Sequence, residues 1–269
     1  MEEELLERLR LKGIEDLSIL ALSSIEKLNN YGISYEEFKE KIKKRFPFFY
    51  SQERKPFNLD FGSKALNEIF KGLTFGNVID IFGASRTGKS QICFQISLMA
   101  SLKDYKVYYL DCDGTFRPER IKEMALKRDL NSHLSLSRIK VYRVLNYLEQ
   151  LYIVSRLNEI IEDSSLLILD GLTHNFLVFG KNLMVRQSLL VKNLQELCNL
   201  ALRKEVLVLL TNQVRGKGVE VAEALLKKFV HRRIELKRID KFIMAKVDEL
   251  PFLEVKFRIG EEGILDCLE

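Results

Sequence analysis

A chain of 269 residues is long enough to bury a full α/β core together with one small additional domain. Apolar residues make up 46% and charged residues 30%, which excludes a disordered or fibrous protein, and no apolar run reaches the roughly 20 residues that a membrane span requires. A net charge of +5, from 43 Lys and Arg against 38 Asp and Glu, is compatible with nucleic acid but too mild to argue for it, so the placement of charge must carry that question.

The first residues, "MEEELLERLRLKG", are acidic and amphipathic, unlike a signal or transit peptide. The expected location is therefore the compartment in which the protein is made, the cytoplasm. Residues 1–45 read as a small helical domain. "SILALSSIEKL" and "SYEEFKEKIKKRF" carry apolar residues at three and four spacing, and "NNYGIS" separates them. Gly32 supplies the turn, while Ser34 and Glu37 form a capping box for the second helix. Residues 46–61, with two prolines, several aromatics and no helical period, read as an interdomain linker. The third unit, 62–269, alternates strand and helix patterns, from "GSKALNEIF" and "GNVIDIFG" through "KVYYLD", "RPERIKEMAL" and "SLLILD" to "VLVLLTNQ". Such alternation implies crossover units and a mostly parallel sheet covered by helices on both faces. The tail from Arg232 onward has several short runs broken by turn signals, which predicts an antiparallel extension. Cys93, Cys112, Cys198 and Cys267 are far apart in the chain and read as small buried hydrophobes in a reducing compartment.

Three stretches carry chemistry. "GASRTGKS" (Gly83, Ala84, Ser85, Arg86, Thr87, Gly88, Lys89, Ser90) fits the G-x-x-x-x-G-K-[ST] phosphate loop, with a strand before it and an apolar helix after it. Glycines there let backbone N–H groups wrap phosphates, and the helix N-terminus adds partial positive charge. Lys89 is placed to reach the β- and γ-phosphates of a bound ligand, and Ser90 to ligate Mg²⁺. "LLILD" is an apolar strand ending in Asp170, a candidate Mg²⁺ partner, with a plain turn-forming aspartate as the alternative. "VLLTNQV" ends a strand with Thr211, Asn212 and Gln213 at the edge where open α/β sheets bind ligands. Gln213 is a candidate γ-phosphate sensor, or else a strand-end amide bonded to backbone.

With these pieces in order, the chain resembles the RecA/RadA recombinase family, in its archaeal and eukaryotic branch and that branch's paralogs. The likeness rests on the phosphate-loop segment "FGSKALNEIFKGLTFGNVIDIFGASRTGKSQICFQ", on "LDCDGTFRPER" (similar to the family's "DTEGTFRPER"), on "NLMVRQSLL" and on "TNQV". The resemblance implies a RecA-like ATPase core behind a duplex-binding helix-hairpin-helix domain. It further implies ATP and Mg²⁺ as ligands and hydrolysis coupled to DNA. Carried over by position, Lys89, Ser90 and Asp170 become the phosphate and metal residues, Gln213 the γ-phosphate sensor, and Arg120 the arginine against adenine. Asp113 falls where the family has the glutamate that positions the attacking water.

The departures bear on the job. Asp113 is one methylene shorter than glutamate, which retracts the carboxylate by about 1.5 Å, so slow hydrolysis with intact ATP binding is expected. The loop between Asp170 and Arg186 is short and apolar. Lys181 and Arg186 are its candidate phosphate contacts, and His174 and Phe176 pack under it or stack on a base. Behind Gln213, Arg215 and Lys217 flank glycines, as a mobile phosphate-contacting loop requires, and Lys227, Lys228, Arg232 and Arg233 form a second basic cluster. "FPFFYSQER" lacks the family's Phe-x-x-Ala polymerisation motif, although Phe46, Phe48, Phe49 and Tyr50 remain candidate anchors for a partner, and the segment around "DELP" (Asp248–Pro251) looks like a trimmed version of the family's cap over a neighbour's ATP. The reading is a weakly hydrolysing recombinase paralog that binds single-stranded and possibly double-stranded DNA. It would assist the main recombinase or another paralog as part of a homo- or hetero-oligomer. The alternatives are a full strand-exchange recombinase and a non-hydrolysing, ATP-bound interaction module.

Overall fold

The computed structural model describes residues 54–179, 182–215, 219–220, 222–248 and 250–267. The expected helical domain, the aromatic anchors Phe46 to Tyr50, and Lys181 and Lys217 lie outside the described residues. One compact unit runs from Arg54 to the end of the chain. The carboxyl-terminal part of the expected linker belongs to it, because Phe57 and Phe61 are buried and Pro56 bridges Thr74. Phe57 stacks on Tyr105 and meets Phe75 edge-on, which explains why this stretch is too aromatic for a solvated linker.

In chain order the elements are α1 (Lys64–Ile69), β1 (Val78–Gly83), α2 (Lys89–Leu102), β2 (Val107–Asp111), α3 (Pro118–Lys127), α4 (Ser132–Ser137), β3 (Ile139–Arg143), α5 (Tyr147–Ile160) and β4 (Leu166–Asp170). A 3₁₀ turn (His174–Phe179) and α6 (Leu183–Arg203) follow. Then come β5 (Leu207–Arg215), β6 (Val219–Glu220), α7 (Glu223–Phe229), β7 (Arg232–Ile239), β8 (Phe242–Val247), β9 (Leu250–Gly260) and β10 (Gly263–Asp266). The sheet order is β10-β9-β8-β7-β1-β5-β4-β2-β3, with β6 pairing β5 off this path. From β7 through β1, β5, β4 and β2 to β3 every pair is parallel, and β7 to β10 are joined antiparallel. The expected parallel core with an antiparallel extension is the observed sheet.

The central strands are apolar on both faces because helices cover both. Leu166 and Ile168 of β4 face the cluster formed with α2 and α3, while Leu167 and Leu169 face the one formed with α5 and α6. α2 lies over the middle of the sheet and is buried around most of its circumference, from Ile92 to Leu98. Its entry is fixed by Gly88 at φ 92°, where a Cβ would sit 2.7 Å from Ile259 Cδ1. No helix among the described residues is long and apolar enough to cross a membrane.

Two cations of the expected second basic cluster serve the fold. Arg233 is buried, donating to Asp248 Oδ2 at 2.8 Å and lying 3.4 Å from Asp80 Oδ2, with its guanidinium 4.2 Å from the Phe82 ring centroid. Arg232 donates to the Ile69 and Lys71 carbonyls, both at 2.9 Å, at the carboxyl end of α1. The residue expected to contact DNA thus holds a helix end in this structure, and it pairs with Ile79, well back along β1 from the phosphate loop. Lys227 pairs with Glu223 at 2.6 Å. In "DELP", Asp248 is engaged as the Arg233 partner.

Candidate nucleotide site

The parallel strands end together, and that edge gathers the chemistry. Gly83 at the end of β1 pairs with Gln213 of β5, and Asp111 of β2 pairs with Asp170 of β4. The phosphate loop leaves Gly83 and enters α2 through Gly88, which provides no side-chain cap, so the first amides of α2 stay open toward the loop. Lys89 Nζ donates to the carbonyls of Gly83 (3.0 Å) and Ala84 (2.8 Å), and Thr87 Oγ1 donates to Ala84 O at 2.9 Å. Burial pushes the Lys89 ammonium pKa below the ordinary lysine value, opposed by the charges of Asp170 and Asp113. Ser85 and Arg86 are exposed at the loop's apex, where Arg86 takes a left-handed φ of 63°.

Asp170 is almost fully buried and its carboxylate accepts from three hydroxyls: Tyr109 (2.7 Å), Thr115 (3.1 Å) and Thr211 (2.5 Å). Thr115 also lies 3.3 Å from Ser90 Oγ, so Ser90 and Asp170 are joined through a single threonine. The alternation of β4 places Asp170 on the same face as Leu166 and Ile168, toward α2 and Ser90.

The two aspartates of "LDCDGTFRPER" have different surroundings. Asp111 is buried and accepts from the amides of Gly114 (2.8 Å), Thr115 (3.0 Å) and Phe116 (3.3 Å), and from Arg143 at 3.0 Å. It fixes the turn. Asp113 instead lines a small cavity of about 10 Å³ with Lys89, Gly171, His174, Thr211 and Gln213. Its Oδ1 lies 2.7 Å from His174 Nδ1, and burial followed by the nearby Asp170 charge raises its pKa above the usual aspartate value. A Cβ on Gly171, which has a left-handed φ of 94°, would come within 2.5 Å of Asp113 Oδ1, so the missing side chain makes room for this carboxylate.

Arg120 donates to Gln91 Oε1 (2.8 Å) and to the carbonyls of Glu261 (2.9 Å) and Gly260 (2.5 Å), and it pairs with Glu123. The arginine expected against adenine thus ties α3 to α2 and to the β9–β10 turn. On the loop side, Phe176 is fully buried, as the packing alternative had it, whereas His174 keeps a half-exposed side chain. Arg186 sits in the first turn of α6, and its Nε meets no partner among the described residues. Arg215 ends β5, and its side chain lies outside what is described.

Sequence reasoning did not reach Tyr109 or Thr115 as holders of Asp170, or the Asp113–His174 contact. Thr115, inside the "GTFRPER" stretch, was the available signal, because a hydroxyl there faces the phosphate-loop serine across the turn. Tyr109 gave none, since β2 reads as plain apolar alternation.

A family model described as Rad51 matches residues 52–267. The chain is 35% identical over 225 residues to the DNA repair and recombination protein RadB of Pyrococcus abyssi, covering 77% of this chain and 93% of that protein. It is 34% identical over 233 residues to the DNA repair and recombination protein RadA of Metallosphaera sedula, covering 77% of this chain and 72% of that protein. With the parallel sheet, the phosphate loop and the strand-end carboxylates in place over the same span, this chain belongs to the Rad51 family, within the RecA/RadA recombinases.

Proposed function

We propose that this protein is an ATP- and DNA-binding recombinase paralog that acts in homologous recombination and DNA repair and hydrolyses ATP slowly. Its place is beside a main recombinase or another paralog, in the cytoplasm or on the nucleoid. The observation that carries the reading is the convergence of Lys89, Asp113 and Gln213 on one cavity next to the Ser90–Thr115–Asp170 chain. The names of both relatives, which speak of DNA repair and recombination, support it.

The residues fit a magnesium nucleotide. Among the described residues no group of three or more His, Cys, Asp or Glu converges as an all-protein metal cage would need. A hydroxyl and a carboxylate beside a phosphate loop suit Mg²⁺, which takes its remaining ligands from phosphate and water. Ser90 and Asp170 would hold the ion, and the ion supplies charge neutralisation for the transferring phosphoryl group. Lys89 exchanges its two loop carbonyls for phosphate oxygens. Asp113 orients the attacking water and accepts its proton. Gln213, paired with Gly83 and followed at once by Arg215, carries the state of the nucleotide to the loop behind it. Arg186, Arg215, Lys181 and Lys217 are the proposed phosphate contacts to single-stranded and possibly double-stranded DNA.

The test is an ATPase titration of the full chain with single- and double-stranded DNA, alongside DNA affinity with and without a non-hydrolysable ATP analogue. Slow, DNA-stimulated turnover and ATP-dependent DNA affinity that Lys89→Ala removes are expected. DNA affinity unaltered by Lys89→Ala with ATP present would overturn the coupling. Undetectable turnover in every condition would leave a nucleotide-gated binder, and D-loop formation by the protein alone would make it a strand-exchange enzyme.

A further inference from the structure

Asp113 and His174 come from different crossovers of the sheet, one following β2 and the other following β4. They meet at the cavity shared by Lys89 and Gln213. We propose that His174 is a positioning residue for the hydrolytic step: its ring N–H holds Asp113 and so sets where the shortened carboxylate presents its free oxygen. The inference rests on the assignment of Asp113 to the attacking water.

Three features of the geometry support it. First, His174 is the only basic side chain among the described residues that makes a close ion-pair contact with Asp113, its Nδ1 lying 2.7 Å from Oδ1. Asp111, two residues away, has three backbone amides and Arg143. A carboxylate reaching into a cavity with one partner takes its orientation from that partner. Second, the ring is delivered by a rigid turn. The His174 amide donates to Gly171 O at 3.0 Å, directly after the buried Asp170, and Phe176 anchors the same turn in the core. Third, the floor beneath Asp113 is Gly171, whose bare Cα leaves the carboxylate free to lie between that backbone and the imidazole. Oδ1 faces Nδ1 at 2.7 Å, so on this proposal a proton on Nδ1 holds Oδ1 and leaves Oδ2 for water. A positioned ring compensates for a missing methylene because misplacement of about 1 Å is enough to cost on the order of 100-fold in rate.

Conservative variants separate positioning from bulk structure. Asparagine places an amide N–H near the Nδ1 position, and glutamine places one near Nε2. His174→Ala and His174→Gln are expected to lower kcat about tenfold with KM and the affinity for a fluorescent ATP analogue unchanged, and His174→Asn to stay within about threefold of wild type. Equal losses in Ala and Asn, or a loss in nucleotide affinity in place of kcat, would overturn the proposal. The chain has only three histidines, His133, His174 and His231, so ¹⁵N-histidine labelling resolves the ring directly. Its Nδ1–H form is expected in wild type and lost in Asp113→Ala, and an unchanged His174 spectrum would count against the contact. Asp113→Asn separates the two assignments. If it lowers turnover while His174→Ala does not, only the role of His174 falls. If Asp113→Asn leaves turnover unchanged, or wild type has none, the assignment of Asp113 falls with it.

Discussion

The Tyr109 hydroxyl donates to Asp170 Oδ2 at 2.7 Å across the β2–β4 pair, so a core tyrosine holds the carboxylate proposed to serve Mg²⁺. Both side chains are buried, and burial raises the Tyr109 pKa well above its ordinary value, which keeps the phenol protonated as a donor. Tyr109→Phe removes one of three donors to a desolvated charge. A stability loss of about 1.5–3 kcal/mol is expected, measured by urea unfolding without nucleotide. An unchanged midpoint would mean that Thr115 and Thr211 suffice to hold Asp170.

The two aspartates of the β2 turn should separate in their phenotypes. Asp111→Ala strands three amides and leaves Arg143 without its partner, so a stability loss of about 3 kcal/mol or more is expected. Asp113→Ala removes a carboxylate whose ionisation burial and Asp170 already oppose, so thermal stability should hold or rise while turnover is lost. Finding the two phenotypes exchanged would refute the division of labour between them.

Asp113→Glu restores the missing methylene and is expected to raise turnover on the order of tenfold with ATP affinity preserved. The longer side chain reaches past the imidazole, so it should also relax the need for His174. In this background His174→Ala is expected to cost less than about threefold, against about tenfold in wild type. Additive losses would mean that the two residues act separately.

His231 predicts a pH dependence away from the site. Its Nδ1 accepts from the Val78 amide at 3.1 Å, so the neutral ring carries its proton on Nε2. Burial and then the Arg54 charge push its pKa below the ordinary 6.5. The unfolded chain therefore protonates first as pH falls, and stability declines from about pH 6.5 downward until the folded ring is protonated as well. His231→Asn keeps an acceptor near the Nδ1 position and removes the titration. Urea unfolding at pH 7.5 and 5.5 should show wild type losing more stability than the variant, and parallel losses would exclude His231 as the cause.

Much of this architecture is written locally. A glycine-bracketed loop between an apolar strand and an apolar helix, carboxylates at strand ends and the alternation of strand and helix depend on backbone conformational limits and hydrophobic period, which act within a few residues. That is why the parallel core, the phosphate loop and the positions of Asp170 and Gln213 were legible in the sequence. The resemblance to the family likewise implies that Asp113 stands one methylene short of the glutamate found at that position. What each charge does depends on which side chains meet across strands, and that is a matter of sheet order and register. Tertiary structure alone set Arg232 on a helix end, enclosed Arg233 between Asp80 and Asp248, and brought His174 to Asp113. In each case the partner lies fifteen or more residues away in the chain, where no local pattern records it.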